Sequence, residues 1–361
     1  FFLSNIQQSV AASLNIPKFI WIHNNSWIKK LAKKEDWKNP TTSYSLVFSY
    51  QLNIDFTQRT SLLNYSYSAG RGFNFFKFVP LEWNLNQVDV RSDFLKNLSS
   101  GDRVLLSSLL NPNFIPSSRF EWYYNDKGLS KSGNYHKFQM IFEPAGNLFY
   151  SAFVLSGTPK PPDGNYKVFT NLFQYLKGEF NLIYYMNPNP DIHLAYRVHG
   201  GVAYPYGNSR VVPFDKRFFI GGANSLRGWA PRSVGPGTYA STNANQIDRS
   251  GEVVLEGSAE LRFRVISGLL EGALFADAGN IWNIHADTSL PGAEINWLFL
   301  NQLALNGGLG ARFDFDFFLV RFDMGIQFRD PSYAQKGSWV FNDYNFLNRR
   351  ISYNFAIGYP F

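Results

Sequence analysis

The sequence predicts an all-β fold, an antiparallel transmembrane β-barrel, on three observations. Apolar and polar residues alternate with a period of two along most of the chain. In 253 to 265, Val253, Leu255, Ala259, Leu261, Phe263 and Val265 share one strand face, while Glu256, Ser258, Glu260, Arg262 and Arg264 share the other. Aromatic residues (18%) outnumber charged ones (17%) in a chain of 361 residues, which suits one large closed barrel better than two soluble domains. The chain also stops on a strand whose Ile351, Tyr353, Phe355, Ile357, Tyr359 and Phe361 fall on a single face. In water such an end is an aggregation hazard; on a barrel it is paired and faces lipid.

No stretch reaches the roughly 18 consecutive apolar residues of a membrane-spanning helix, and the mean hydropathy is −0.21. Membrane strands are compatible with both facts, because their lipid-facing and lumen-facing residues average out. The absence of cysteine removes disulfides and thiolate metal sites, and His23, His136, His193, His199 and His285 lack the spacing of a zinc site. No metal and no cofactor is expected. Neither a phosphate loop, a dinucleotide fingerprint nor a Gly-x-Ser-x-Gly elbow occurs, so no catalytic constellation is legible. A barrel hydrolase would need Ser258 or Ser352 to meet a histidine in space. The net charge of +7 arises from 34 basic and 27 acidic residues. Apart from Lys29, Lys30, Lys33 and Lys34 the basic residues form no stripe, which argues against nucleic acid as a partner. No charged leader precedes Phe1, so the chain is expected to begin at a cut end.

Each alternating segment predicts a strand. A weak candidate lies before Pro17. The next, 42 to 54, puts Tyr44, Leu46, Phe48, Tyr50, Leu52 and Ile54 on one face and has the length of a tilted span. Others follow at 57 to 69, 73 to 90, 117 to 125, 135 to 145, 173 to 187, 191 to 206, 251 to 265, 269 to 283, 302 to 316, 317 to 329 and 348 to 361, about thirteen in all. Residues 91 to 112 are compatible with a short helix, and 156 to 166, with Pro159, Pro161 and Pro162, with a loop. The longest irregular stretch, 207 to 250, carries Gly221, Gly222, Gly228, Gly235 and Gly237; loops of that length are usually functional or disordered. No linker divides the chain, so 1 to 361 is expected to be one barrel domain. Tyr44, Phe48, Leu261, Phe263, Phe322 and Phe355 are expected to face outward.

Within the long loop, 219 to 229 reads Phe-Ile-Gly-Gly-Ala-Asn-Ser-Leu-Arg-Gly-Trp and holds one fixed cation, Arg227, while the strands that follow offer Glu260 and Asp277 on their charged faces. A guanidinium presents planar donors to two carboxylates at once, and pairing lets all three charges leave bulk water. Taken alone, Arg227 reads more readily as a solvated loop arginine than as a buried partner. Glu256, Arg262, Arg264, Arg312, Asp314, Asp316, Arg321 and Asp323 read as an ordinary charged barrel interior.

Four motifs together resemble the outer-membrane assembly-factor family that includes BamA, TamA, the mitochondrial sorting protein and the two-partner secretion transporters. Leu226-Arg227-Gly228-Trp229 resembles the Arg-Gly-aromatic tip of that family's long sixth extracellular loop. Phe275-Ala-Asp277-Ala-Gly279 resembles its Phe-x-Asp-x-Gly strand motif, Glu260 takes the place of the acidic residue one strand earlier, and Phe355-Ala-Ile-Gly358-Tyr-Pro-Phe361 resembles its carboxy-terminal strand signal. The resemblance is close from Phe214 to Phe361 and loose over the first half. With Gly-Pro-Gly at 235 to 237 and the Gly-Tyr-Pro-Phe end, it points to the TamA-like lipoprotein (TamL) branch of Bacteroidetes-type bacteria.

The resemblance implies a sixteen-stranded barrel preceded by POTRA domains, so the chain is expected to lack those domains and roughly three early strands. It implies a loop folded into the lumen, with Arg227, Gly228 and Trp229 locked against Glu260, Asp277 and Gly279. It also implies a weak lateral seam at the last strand, marked by Tyr353, Phe355, Gly358 and Phe361, with the glycine permitting a kink. Tyr353, Phe355, Tyr359 and Phe361 are expected to touch lipid. The implied function is non-enzymatic insertion or translocation of other proteins at the outer membrane of a Gram-negative bacterium. Its implied partners are unfolded outer-membrane client proteins, the lipid bilayer, and a periplasmic or inner-membrane-anchored partner of the TamB kind or accessory lipoproteins. A passive porin or a two-partner secretion pore would also carry a charged lumen and a long inward loop, and both stand as alternatives beside the hydrolase.

Overall fold

The computed structural model describes residues 5–20, 38–53, 56–91, 112–127, 133–161, 165–168, 170–240, 249–315, 317–333, 337–340 and 350–361. The described strands are β1 (Asn5–Ile16), β2 (Lys38–Asn53), β3 (Phe56–Arg71), β4 (Asn74–Val90), β5 (Asn113–Asn125), β6 (Tyr135–Ala145), β7 (Lys167–Val168), β8 (Thr170–Leu172), β9 (Tyr175–Asn189), β10 (Ile192–Pro205), β11 (Val253–Ile266), β12 (Leu270–Trp282), β13 (Ala304–Asp314), β14 (Leu319–Arg329) and β15 (Ile351–Ile357). They form one sheet in which β1 to β6 and then β9 to β15 are neighbours in chain order, an antiparallel meander. These thirteen strands coincide with the thirteen alternating segments of the sequence, and five of them follow the long loop.

Two features fall outside that pattern. The strands β7 and β8 pair with each other, and β8 also runs parallel to β5; at two and three residues they are too short to show a period. A helix, α1 (Asn147–Leu155), follows Gly146, and its nearly unbroken apolar run offers no two-residue alternation. No helix among the described residues is long and apolar enough to cross a membrane. The possible helix within 91 to 112 and the cluster Lys29, Lys30, Lys33 and Lys34 lie outside the described residues, as do His23, Ile54 and Asp316.

The described residues fall into two compact units. One comprises Phe1–Tyr124, Gln139–Gly178 and Ala203–Lys216, the other Asn125–Phe138, Glu179–Val202 and Arg217–Phe361. Both show the same inversion of polarity. In the first, Glu82, Asn84, Asn86 and Asn113 are buried while Phe48 is 52% exposed and Phe78 and Leu63 are exposed too. In the second, Glu260, Arg262, Asp277, Arg312 and Asp323 are buried, whereas Leu309, Phe322 and Phe355 stand on the outside, Phe355 at 63%. Large apolar side chains outside and charges inside reverse the order of a soluble core, and the alternation of a membrane strand produces that reversal. Of the residues expected to face outward, Phe48, Phe263, Phe322 and Phe355 are exposed. Tyr44 and Leu261 are half-buried, Tyr44 because it stacks on Tyr65 of the neighbouring strand at 4.9 Å.

The middle of β13 places Leu309 opposite Met324, on the outward face. Leu309→Arg is expected to lower stability by about 2 to 4 kcal/mol in lipid vesicles, the cost of a cation at the bilayer midplane. Denaturant unfolding of the reconstituted protein measures the difference; an unchanged midpoint would place this face outside the membrane.

Candidate functional site

After its first turn the long loop forms a short antiparallel bridge, in which Phe218 and Gly251 exchange backbone hydrogen bonds of 2.8 and 2.9 Å. Beyond it the chain doubles back within a few residues: Gly222 N–H donates to the Trp229 carbonyl (2.9 Å), Ser225 N–H to Gly222 (3.1 Å) and Trp229 N–H to Leu226 (3.1 Å). This compact turn buries Leu226 and Trp229 and leaves Arg227 at its apex only 1% exposed.

The structure brings Arg227, Glu260 and Asp277 together. From Arg227, Nε and Nη2 donate to the two oxygens of Asp277 at 3.0 and 2.8 Å, its backbone N–H adds a third bond to the same carboxylate at 3.1 Å, and Nη1 pairs with Glu260. The guanidinium lies over the Phe275 ring, 3.5 Å from its centroid. The Phe-x-Asp-x-Gly motif therefore acts as one face of β12: Phe275 stacks, Asp277 pairs, and Gly279 leaves room for Leu226, which would lie 3.0 Å from a Cβ at that position. Burial alone lowers the guanidinium pKa. The hydrogen bonds and charge of Asp277, and then Glu260, outweigh that effect and hold it above the ordinary arginine value.

Several partners were not legible in the sequence. The Arg227 carbonyl accepts from Asn354 of β15 (2.8 Å), the Gly228 carbonyl from Gln327 of β14 (2.8 Å), and Asn306 of β13 donates to Asp277 (2.9 Å). Gly325 permits this approach, because a Cβ there would lie 2.5 Å from the Arg227 carbonyl oxygen. Four of the residues read as ordinary interior also belong to the site. Glu260 accepts from Arg262 (2.7 Å) and faces Arg312 (3.2 Å), Arg312 pairs with Asp323 (2.6 Å), Asp323 faces Arg321 (3.4 Å), and Arg321 returns to the side chain of Asn224 in the loop. The ion pairs thus form a circuit that leaves the loop at Arg227 and rejoins it at Asn224. Glu256 is a further foothold, bonded to Ser225 of the loop and to Arg197 (3.0 Å) and His199 (2.9 Å). Arg264 and Asp314 remain peripheral: Arg264 pairs with Asp191 among exposed groups, and Asp314 is exposed. A two-residue period reveals which residues share a face, but cross-strand neighbours require the register.

The first turn of the loop has its own anchorage, in the other unit. Lys216 pairs with Glu143 (2.8 Å) and Glu82 (3.3 Å), Arg119 also reaches Glu82 (3.0 Å), and Asn86 donates to Asp215 (2.6 Å). Burial depresses the Lys216 pKa, but Glu143 and Glu82 more than reverse it and raise the pKa above the ordinary lysine value.

The terminal residues require a correction. Tyr353 and Phe355 face outward as expected, with Phe355 5.0 Å from Phe322, but Tyr359 and Phe361 do not continue that row. β15 ends at Ile357, Gly358 takes a φ of +84°, and the chain turns to the charged face. There Arg262 lies over the Tyr359 ring at 4.1 Å, the Tyr359 hydroxyl donates to Glu271 (3.0 Å), and Phe361 packs on the cluster of Ile183, Tyr185 and Ala195. Alternation assigns faces only while the backbone stays extended, and a left-handed glycine breaks the phase.

A meander with apolar residues outside, charges inside and a long loop held on the charged face defines an antiparallel β-barrel of the outer-membrane class. The family model described as the Omp85 superfamily domain matches residues 24–361, and the chain belongs to that superfamily. Over 114 residues it is 29% identical to the outer membrane protein assembly factor BamA of Neisseria meningitidis serogroup B, a match covering 30% of this chain and 14% of that protein. The crystal structure of BamA from Haemophilus ducreyi lacking POTRA domains 1-3 superposes with a TM-score of 0.65 at 14% identity, covering 97% of this chain and 62% of that one. CdiB from Escherichia coli superposes with a TM-score of 0.54 at 12% identity, covering 99% and 54%. The chain thus spans less than two thirds of each of these relatives. At such identities the two structural likenesses establish the fold.

Gly325→Ala is expected to lift the loop from β14, with a stability loss of about 1 to 3 kcal/mol and faster protease cleavage within 207–250. Gly257→Ala serves as the control, since its Cβ would meet only the Arg197 carbonyl at an ordinary 3.7 Å. Equal cleavage of the two variants would show that the close approach at Gly325 does not hold the loop.

Proposed function

We propose that this barrel assists the insertion or translocation of other proteins at the outer membrane of a Gram-negative bacterium, without ATP and without a chemical step. The observation that carries the proposal is the grip on Arg227. Its guanidinium is withdrawn from water between Asp277 and Glu260, while the adjoining carbonyls are held by Asn354 of β15 and Gln327 of β14. The loop is thereby connected to the final strand of the sheet. In the proposed mechanism the first and last strands meet in a weakly paired seam. Backbone groups freed there would template an incoming strand, and a thinned bilayer beside the seam would lower the barrier to insertion. The Arg227 loop would brace β11 to β15 while the seam opens.

Membership of the Omp85 superfamily and the likeness to an outer membrane protein assembly factor support this reading. The proposed clients are unfolded outer-membrane proteins, and the proposed accessory partner is a periplasmic or inner-membrane-anchored protein of the TamB kind or an accessory lipoprotein, in keeping with the TamL-like motifs. A secretion pore is the second reading, favoured by the shared fold with CdiB. The buried network gives no support to a hydrolase: His199 is held between the carboxylates of Glu256 (2.9 Å) and Glu179 (3.0 Å), and Ser258 stands opposite Arg197 and Asp277.

Arg227→Ala leaves Glu260 and Asp277 buried without their shared partner, at a cost of roughly 3 to 5 kcal/mol. The expected outcome is loss of client proteins from the outer membrane of a strain carrying only this variant, together with a loosened loop. Single-channel recording of the purified variant supplies the contrast. Raised conductance with normal client levels would replace the assembly function by a passive pore.

A further inference from the structure

Helix α1 lies on a face of the sheet that the long loop does not use. The register of β4 and β5 pairs Glu82 with Ser117, Asn84 with Ile115 and Asn86 with Asn113, alternating with Trp83 opposite Pro116 and Leu85 opposite Phe114. Glu82 and Asn86 point to the loop, where they meet Lys216 and Asp215, so Trp83 and Phe114 belong to the opposite, outward face. On that face the Phe149 ring of α1 stands 5.5 Å from Phe114 and 5.8 Å from Trp83, both edge to face, and the Gly146 N–H that introduces the helix donates to the Pro116 carbonyl at 2.7 Å. Phe153 and Tyr150 pack on Tyr166, at 4.7 and 5.7 Å. The other side of the helix exposes Leu148 (71%), Val154 (54%) and Leu155 (86%) beside Ala152, and Asn147–Leu155 contains no charged residue.

We infer that α1 is an interfacial membrane element, packed by Phe149 on the lipid-facing wall of β4 and β5 and immersing Leu148, Ala152, Val154 and Leu155 in the bilayer beside the barrel. The occupant of the exposed row is lipid because the row is continuous with a surface that already carries Trp83, Phe78 and Leu63 outward. A helix covered by water would carry charge on this side, and a lone uncharged helix could leave the membrane. Here the inner side is tied to the barrel, so only the outer side needs an apolar solvent. Half-buried Tyr150, an apolar ring with a polar tip, suits the depth at which headgroups begin, whereas Tyr166 is buried beneath the helix with its hydroxyl donating to the Thr158 carbonyl (3.0 Å).

The inference rests on the barrel's residence in a membrane, and the test separates the two. The chain contains no cysteine, so single substitutions accept one label each. Leu148→Cys, Leu155→Cys, Phe48→Cys and Lys160→Cys, each carrying an environment-sensitive fluorophore, are reconstituted in phosphatidylethanolamine and phosphatidylglycerol vesicles that contain acyl-chain nitroxide lipid. Labels at 148 and 155 are expected to shift to the blue and to be quenched to an extent comparable with Phe48 on β2, while Lys160 in the following loop stays unquenched. Quenching at 48 without quenching at 148 and 155 would overturn the interfacial helix and leave the membrane barrel standing, whether water or a protein partner covers the row. Loss of quenching at 48 would overturn both.

Discussion

The guanidinium of Arg227 is withdrawn from water inside a barrel wall, and the rest of the site follows from that constraint. An unpaired cation there would be costly, so the surroundings must supply negative charge at fixed positions. Asp277 does so with both oxygens and Glu260 with one, and each carboxylate needs further donors of its own. Asn306, Arg262 and Arg312 provide them. The circuit through Asp323 and Arg321 returns to Asn224, so displacing the loop breaks ion pairs with β11 and β12 and a hydrogen bond with β14 together.

That arrangement links distant parts of the chain through short contacts. The carbonyls of Arg227 and Gly228 are gripped by β15 and β14, and these bonds require the loop backbone to lie almost against Gly325. The loop position and the placement of the terminal strand are therefore coupled through hydrogen bonds. The first turn of the same loop is separately fastened by Lys216 and Asp215 to β4 and β6.

Much of this was legible before the structure. The alternation of apolar and polar residues located all thirteen principal strands, because in a barrel wall each side chain meets either lipid or the charged interior. The pairing of Arg227 with Asp277 and Glu260 was also legible, from motif resemblance. The helix Asn147–Leu155 was not: it lacks a two-residue period, and the contacts of Phe149 with Phe114 and Trp83 join residues far apart in the chain. The roles of Arg312, Asp323 and Asn354 were hidden because nothing local distinguishes them from other interior polar residues.

The sequence by itself determined the fold class, the strand boundaries to within a few residues, the face on which each strand residue lies and the central arginine with its two acids. The first three depend on local periodicity and residue chemistry, and the arginine with its acids on the resemblance of the motifs around them to a known family. Only the tertiary structure decided which interior charges close the circuit, which carbonyls the last strands hold, and where Tyr359 and Phe361 turn. The physical reason is that a strand's face is written in its own residues, whereas a cross-strand partner depends on register, and register is set by the whole sheet together.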